Sequence, residues 1–154
     1  GAAGDVGHIQ LDWPEPPLCR CGKLGCLEAY AAGWAIARTL REKGFEAESA
    51  RDIINLVQRN VPEAIQQIRF AGRGLGEIVA SVVSVLNPNR IVVGGTLALA
   101  GEHLLAGIRE QVSQRCLPLA TRKLQISTAR SDERAGVLGA AQLVIDERLQ
   151  SIGK

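Results

Sequence analysis

Apolar residues recur along most of the chain at the three- and four-residue spacing of helices that bury one face. Between residues 28 and 43 this spacing predicts a helix that ends at Gly44. The apolar positions of this helix are Ala29, Ala32, Ile36, Ala37 and Leu40. The run Ser49-Ala50-Arg51-Asp52 resembles a capping box, in which a serine and an acidic residue three positions later satisfy the first amides of a helix. It predicts a short helix that continues to about residue 59.

Pro62 predicts the start of a long helix that runs to about Leu86. Residues 78–86 of this helix are apolar nearly all round, so we expect them to be its central buried part. Gly72, Gly74 and Gly76 lie in the first half. They do not follow the G-x-G-x-x-G pattern of a phosphate-binding loop, and no strand precedes them. We interpret them as residues that allow helices to approach closely.

The last part of the chain alternates between strand and helix patterns. Strands are predicted at residues 90–93 and 124–129, and helices at residues 100–116 and 136–149. This order predicts a right-handed crossover and two parallel strands, and therefore the α/β class. Residues 1–27 are expected to form a loop, residues 28–86 a helical region and residues 87–154 a β-α-β-α unit. Two strands make a poor sheet, so we expect more strands from outside this chain, or an edge that seeks a partner.

Composition and charge narrow the class of protein. The 154 residues carry a net charge of +2 with both signs mixed along the chain, which argues against a dedicated nucleic-acid surface. The longest apolar stretch is too short to cross a bilayer, and no signal peptide is present. The chain begins with Gly1 and contains no methionine. We therefore expect a processed chain or a piece of a longer protein.

Three of the four cysteines and one of the two histidines lie in a Gly- and Pro-rich N-terminal loop. Their spacing is H-x10-C-x-C-x4-C, and the residues are His8, Cys19, Cys21 and Cys26. Three thiolates and one imidazole match tetrahedral Zn²⁺ in number and softness. Two disulfides, or structural cysteines without a ligand, are the alternatives. Cys116 is far away in a predicted helix and is interpreted as a buried apolar residue. Reduced, metal-bound cysteines in the loop suit the cytoplasm, which is the compartment we expect.

This loop also resembles a known family. Gly-Asp-Val-Gly-His at residues 4–8 and Cys-Arg-Cys-Gly-Lys-Leu-Gly-Cys-Leu-Glu at residues 19–28 are similar to the signature of ROK proteins, which include repressors and sugar kinases. The similarity continues through Asn-Pro-Asn-Arg-Ile-Val-Val-Gly-Gly at residues 87–95 and Glu-Arg-Ala-Gly-Val-Leu-Gly-Ala-Ala at residues 133–141. It implies part of an actin-like, ribonuclease-H-like sugar kinase fold. Because ROK proteins are at least about twice this length, the chain resembles only their C-terminal part.

The resemblance implies a sugar site beside the predicted metal-binding loop of residues 1–27, called the metal loop below. Glu28 matches the glutamate of the family's C-L-E triplet, which contacts sugar hydroxyls; otherwise it is a carboxylate favoured by a helix N-terminus. His8 would bind Zn²⁺ through one ring nitrogen and face the sugar with the other. Asp5 occupies a position that usually carries glutamate in the family. Because its side chain is one methylene shorter, we expect it to reach the sugar less well or through a water.

Nucleotide binding and catalysis are predicted only through the resemblance. Gly94-Gly95-Thr96 follows a strand and precedes a helix, where ROK kinases place a glycine-rich turn beside the adenosine of ATP. A tight turn without a nucleotide is the alternative. The phosphate loop and the catalytic aspartate of the family lie upstream of Gly1, so no catalytic residue is assigned. We expect this chain alone to be catalytically incomplete.

Two functions follow. The first is the carbohydrate-sensing and oligomerisation part of a ROK transcriptional regulator, which would bind DNA only through an N-terminal domain absent here. Residues 4–8, 115–122 and 132–136 resemble regulators more than glucokinases. The alternative is the C-terminal lobe of an ATP- and Mg²⁺-dependent ROK sugar kinase of the glucokinase kind, which residues 28–33 fit at least as well. A purely structural zinc module is a third possibility. The expected partners are a small sugar and further copies of the chain, and no membrane.

Overall fold

A computed structural model describes residues 3–129 and 135–152. Helices dominate this part of the chain, and two strands form its sheet. In chain order the elements are α1 (Leu27–Ala31), α2 (Gly33–Glu42), α3 (Ala50–Gln58), α4 (Pro62–Leu86), β1 (Arg90–Val93), α5 (Glu102–Arg115), α6 (Pro118–Thr121), β2 (Gln125–Thr128) and α7 (Ala135–Ile152). Single 3-10 turns span Val6–His8 and Thr96–Ala100. Residues 132–134, which belong to the segments that resemble the family, lie outside the described residues.

The core is built on the close packing of α4 against α5. A Cβ atom added to Gly72 would lie 2.5 Å from the carbonyl oxygen of Leu104, and one added to Gly76 would lie 2.8 Å from Cβ of Gln111. Gly74 faces the N-terminal loop instead. The glycines of α4 therefore permit close approach, as the sequence predicted. Around this pair, the largest fully buried side chains are Ile36, Leu40, Ile53, Ile68, Val83, Ile108 and Cys26.

The two strands are parallel, with Arg90 paired to Gln125 and Val93 paired to Thr128. This confirms the predicted parallel pairing. Ile126 is buried against the helices, whereas Val92 on β1 is 56% exposed. One face of the sheet therefore packs on the core while the other is open to solvent within the described residues.

The predicted helix over residues 28–43 is two helices in the structure. Ala32 is extended, with a ψ of 153°, and separates α1 from α2. The break lets α1 pack against α4 while α2 packs on α3 and α4. Gly33 begins α2 in close contact with the start of α3, since an added Cβ atom would lie 3.2 Å from Cβ of Ala50. Apolar spacing alone did not reveal this break.

The capping box at the start of α3 is confirmed. The Asp52 amide donates to the Ser49 hydroxyl at 3.3 Å, and the Ser49 amide donates to the Asp52 carboxylate at 2.9 Å. The Ser49 hydroxyl and the amides of residues 48 and 49 hold the pKa of Asp52 below its usual value. The sequence pattern therefore located this helix start correctly, with aspartate in place of the usual glutamate.

Two helix segments expose apolar residues in the described part of the chain. Val79 and Val83 of α4 are buried, but Val85 and Leu86 in its last turn are 80% and 71% exposed. Residues 136–149 of α7 are exposed along their whole length. The expectation that residues 78–86 are buried is therefore wrong for the last turn. Among the described helices, none combines the length and hydropathy needed to cross a membrane.

Candidate functional site

The N-terminal loop folds back on itself through backbone hydrogen bonds. The Leu11 amide donates to the carbonyl oxygen of Gly25, and the Leu27 amide donates to that of Ile9. The Cys19 amide donates to the carbonyl oxygen of residue 23. These bonds bring the start of the loop beside its end. Gly22 and Gly25 in this loop have positive φ angles of 89° and 76°, which only glycine adopts readily.

The loop gathers the four predicted metal ligands into one cluster. The ligand atoms of His8, Cys19, Cys21 and Cys26 all lie within 4.8 Å of one another. His8 Nδ1 lies 3.8 Å from Cys19 Sγ, and Cys21 Sγ lies 3.7 Å from Cys26 Sγ. In a tetrahedral zinc site with Zn–S bonds near 2.3 Å, ligand atoms are separated by about 3.8 Å. The donor set and its spacing therefore fit zinc.

The cysteines are free thiols rather than disulfides. Burial, with hydrogen bonds that the Cys26 thiol donates to its neighbouring cysteines, raises the pKa of Cys26 to about 11. The backbone amide of residue 23 lowers the pKa of Cys21, which is exposed. A metal bound here would displace the proton of the buried thiol. Cys116 lies elsewhere and is buried at the end of α5, as predicted. Its Sγ atom lies 3.4 Å from the carbonyl oxygen of Ala80.

The second nitrogen of His8 faces two carboxylates. His8 Nε2 lies 3.7 Å from Glu28 Oε2 and 3.9 Å from Asp5 Oδ2. Both distances exceed those of a hydrogen bond, so the three groups surround a shared space. The side chain of Glu28 is 29% exposed and that of Asp5 is 54% exposed. The structure thus brings together the three residues predicted to contact a sugar.

Glu28 has a partner that the sequence analysis missed. Trp34 Nε1 donates a hydrogen bond to Glu28 Oε1 at 2.9 Å. The two residues are six positions apart, which is not a contact spacing within one helix. The contact exists because the chain breaks at Ala32, and no sequence signal that we used could reveal that break.

A cavity of about 260 Å³ connects the Glu28 region to the end of β1. Gly7, Leu27 and Glu28 line one side, and Val93 and Gly94 line the other. Gly95 follows with a φ of 91°, and Thr96 begins the 3-10 turn. Of the predicted nucleotide-binding triplet, only Gly94 reaches this cavity. Glu28 from the predicted sugar site and Gly94 from the predicted nucleotide site therefore border one cavity.

Known proteins resemble this chain in sequence and in fold. The sequence model of the ROK family matches residues 1–147. A glucokinase from Thermotoga maritima is 32% identical over 97% of this chain, and the N-acetylglucosamine repressor of Escherichia coli O157:H7 is 30% identical over 99%. The crystal structure of a ROK family glucokinase from Streptomyces griseus in complex with glucose and AMPPNP superposes with a TM-score of 0.74 at 27% identity. That match covers 92% of this chain and 51% of the glucokinase.

The chain spans about half the length of the Thermotoga glucokinase and about two fifths of the repressor. Its helix-rich α/β architecture with two parallel strands is the one predicted, and it matches the ROK sugar kinase fold of the structural relative. Because the family pattern extends over nearly all of the sequence, from the metal loop into α7, the chain belongs to the ROK family.

Proposed function

We propose that this chain is the sugar-binding, zinc-stabilised part of a ROK transcriptional regulator. The observation that carries the proposal is the convergence of His8 Nε2, Glu28 and Asp5 on one space beside the cavity. Carboxylates that accept from hydroxyl groups and an imidazole that donates are the usual partners of a sugar. Relatives described as repressors and as glucokinases share this chain's sequence pattern, which makes sugar recognition the function they have in common.

Zinc would be held by His8 Nδ1 and the three thiolates of the loop. It supplies rigidity to a segment that has few buried side chains of its own. Ligation through Nδ1 leaves the proton of neutral His8 on Nε2. That N–H then donates to a sugar oxygen, while the Glu28 carboxylate accepts from a neighbouring hydroxyl. Asp5, which is more exposed, contacts the sugar directly or through a water.

The regulator is our first choice because residues 4–8, 115–122 and 132–136 resemble ROK regulators. The kinase is the second candidate, and one observation favours it: the cavity reaches from Glu28 to Gly94, where a nucleotide would have to lie. A kinase would need, in addition, the catalytic base and the phosphate loop of the family. The reduced cysteines of the loop suit the cytoplasm.

The decisive experiment uses the full-length protein that contains this chain. Titration calorimetry with glucose and with N-acetylglucosamine tests sugar binding, and a coupled assay with Mg²⁺-ATP tests phosphorylation. We expect binding without phosphorylation, together with sugar-dependent release of a DNA fragment from upstream of the protein's own gene. Phosphorylation of either sugar would show that the protein is a kinase rather than a regulator. A wider panel of hexoses and pentoses tests both candidate functions. If wild-type protein binds none of these sugars and Glu28→Gln behaves in the same way, the regulator and the kinase are both contradicted.

A further inference from the structure

Trp34 connects the carboxylate of Glu28 to the metal cluster. Its indole N–H donates to Glu28 Oε1 at 2.9 Å, while Glu28 Oε2 remains on the side of His8 Nε2, 3.7 Å away. The ring itself packs against the buried cluster of Cys19, Cys26 and Ala29. One side chain thus touches both the wall of the metal site and the predicted sugar-contacting group.

The indole ring is held from more than one direction. The guanidinium carbon of Arg20, which lies between two predicted metal ligands in sequence, is 4.5 Å from the ring centroid of Trp34. The guanidinium of Arg38, one turn further along α2, is 5.3 Å from it. Such cation–π contacts contribute modestly at a partly exposed site, but together they restrict the rotation of the ring. The N–H of the indole therefore points in a defined direction.

A glutamate on a five-residue helix needs such a fixed partner. The three side-chain torsions of Glu28 otherwise leave its carboxylate free to rotate, and binding a hydroxyl group would then cost side-chain entropy. A hydrogen bond to a single carboxylate oxygen removes this freedom and leaves the other oxygen available. The Glu28 carboxylate is thereby set in place before a sugar arrives.

We infer that Trp34 is a positioning residue for sugar binding, because its indole N–H fixes the Glu28 carboxylate with Oε2 facing the space beside His8. The inference rests on the proposed sugar-binding function. Trp34 acts through Glu28 and does not itself touch the sugar. The competing explanation is that Trp34 only covers the cysteines of the metal loop, in which case its N–H would be irrelevant to the sugar.

A double-mutant cycle in the full-length protein separates these explanations. Trp34→Phe keeps an aromatic ring but removes the N–H donor, and Glu28→Leu removes the carboxylate oxygen that accepts this hydrogen bond while keeping a side chain of similar size. With the sugar that wild type binds as the probe, we expect Trp34→Phe to weaken the affinity by about threefold to tenfold, as for one lost hydrogen bond. In the Glu28→Leu background, where the indole N–H has lost its acceptor, the same change should alter the affinity by less than about twofold.

The chain supplies a matched control. Trp13 Nε1 donates to Glu77 Oε1 at 2.8 Å, so Trp13→Phe removes the same kind of bond from a tryptophan that touches neither the cysteines nor Glu28. It should leave sugar affinity within about twofold of wild type. Zinc content and melting temperature of every variant show whether the loop is intact. If Trp34→Phe loses metal, benzothienylalanine at position 34, which keeps the ring shape without the N–H, takes its place.

The outcomes distinguish this inference from the function on which it rests. A normal affinity for Trp34→Phe beside a weakened Glu28→Leu would overturn the positioning role and leave sugar binding intact. An equal effect of Trp34→Phe in both backgrounds would assign Trp34 a purely structural role. If Glu28→Leu binds the sugar as wild type does, both the proposed site and the role of Trp34 are wrong.

Discussion

At the scale of single residues, His8 joins the metal loop to the predicted sugar site. Its Nδ1 atom faces Cys19 Sγ, and its Nε2 atom faces Glu28 and Asp5. An imidazole can hold a metal with one nitrogen and donate a hydrogen bond with the other, and metal ligation then fixes which nitrogen carries the proton. The two carboxylates differ in how firmly they are held, because Glu28 accepts a hydrogen bond from an indole N–H.

We predict that sugar affinity depends more on Glu28 than on Asp5. Glu28 is the less exposed of the two carboxylates and is fixed in place, whereas Asp5 is more than half exposed. Loss of a charged partner to a buried hydroxyl costs on the order of 1.5–3 kcal/mol, or more than tenfold in affinity. Calorimetry on Glu28→Gln and Asp5→Asn in the full-length protein measures both losses. Equal losses, or a larger loss for Asp5→Asn, would contradict the ranking.

We predict one zinc ion per chain, and its loss in Cys21→Ser. Removing one of four ligands lowers the affinity for the metal, and metal binding here contributes to the folding of the loop. Metal analysis and thiol titration of purified protein measure occupancy, and limited proteolysis measures loosening of the loop. Cys116→Ser is the control, since Cys116 lies beside Ala80 and outside the cluster. Less than half an equivalent of zinc in wild-type protein would refute the site.

At the scale of elements, the fold depends on how closely α4 and α5 approach. Gly72 and Gly76 on α4 face the backbone of α5, and Gly107 on α5 faces the backbone of α4. Because these glycines lack Cβ atoms, the two helix backbones lie closer together than larger side chains would allow. The neighbouring apolar residues pack around this contact. Because α1 packs on the same α4, this contact also supports the helix that carries Glu28.

We predict that Gly72→Ala destabilises the protein by roughly 1–3 kcal/mol or more, since the new methyl group would meet the Leu104 carbonyl oxygen at 2.5 Å. Gly139→Ala on α7 is the matched control. No atom lies within 4 Å of its added Cβ, so alanine should be neutral or stabilise the helix by about 0.5–1 kcal/mol. Urea unfolding of both variants provides the comparison. Similar stabilities for the two would show that the α4–α5 contact tolerates a side chain.

At the scale of the whole molecule, apolar surface is left uncovered in the part of the chain that the structure describes. Val92 on the open face of the sheet is exposed, and so are Val85 and Leu86 at the end of α4. Further exposed apolar side chains lie along α7, at Val137, Leu138, Leu143, Val144, Ile145 and Leu149. Patches of this kind are usually covered by other parts of a protein or by a partner.

We therefore predict that residues 1–154, prepared alone, associate with copies of themselves. The open sheet edge and the exposed apolar side chains of α7 both favour contact with another surface. Light scattering coupled to size exclusion, across micromolar concentrations, measures the mass. Replacing Leu143 and Val144 with glutamate should reduce association if α7 takes part. A monodisperse monomer of 16.4 kDa for the unmodified chain would refute the prediction.

Local chemistry allowed much of this protein to be derived from the sequence. The spacing of His8 and the three cysteines predicted the cluster, because a short glycine-containing loop leaves these side chains few other arrangements. The capping box and Pro62 marked helix starts, since the groups that satisfy the first amides of a helix are near in sequence. Alternating strands and helices predicted parallel pairing, because a helix between two strands returns the chain to the end of the sheet where the first strand began.

Only the tertiary structure decided the features that depend on contacts distant in sequence or on a break in a helix. The extended conformation of Ala32 follows from the packing of α1 on α4 and of α2 on α3, and it alone brings Trp34 to Glu28. The exposure of Val85 and Leu86 depends on where the neighbouring helices end, and apolar character does not encode that. The cavity between Glu28 and Gly94 also depends on contacts that are distant in sequence. These two residues are more than sixty positions apart, and only folding brings them together.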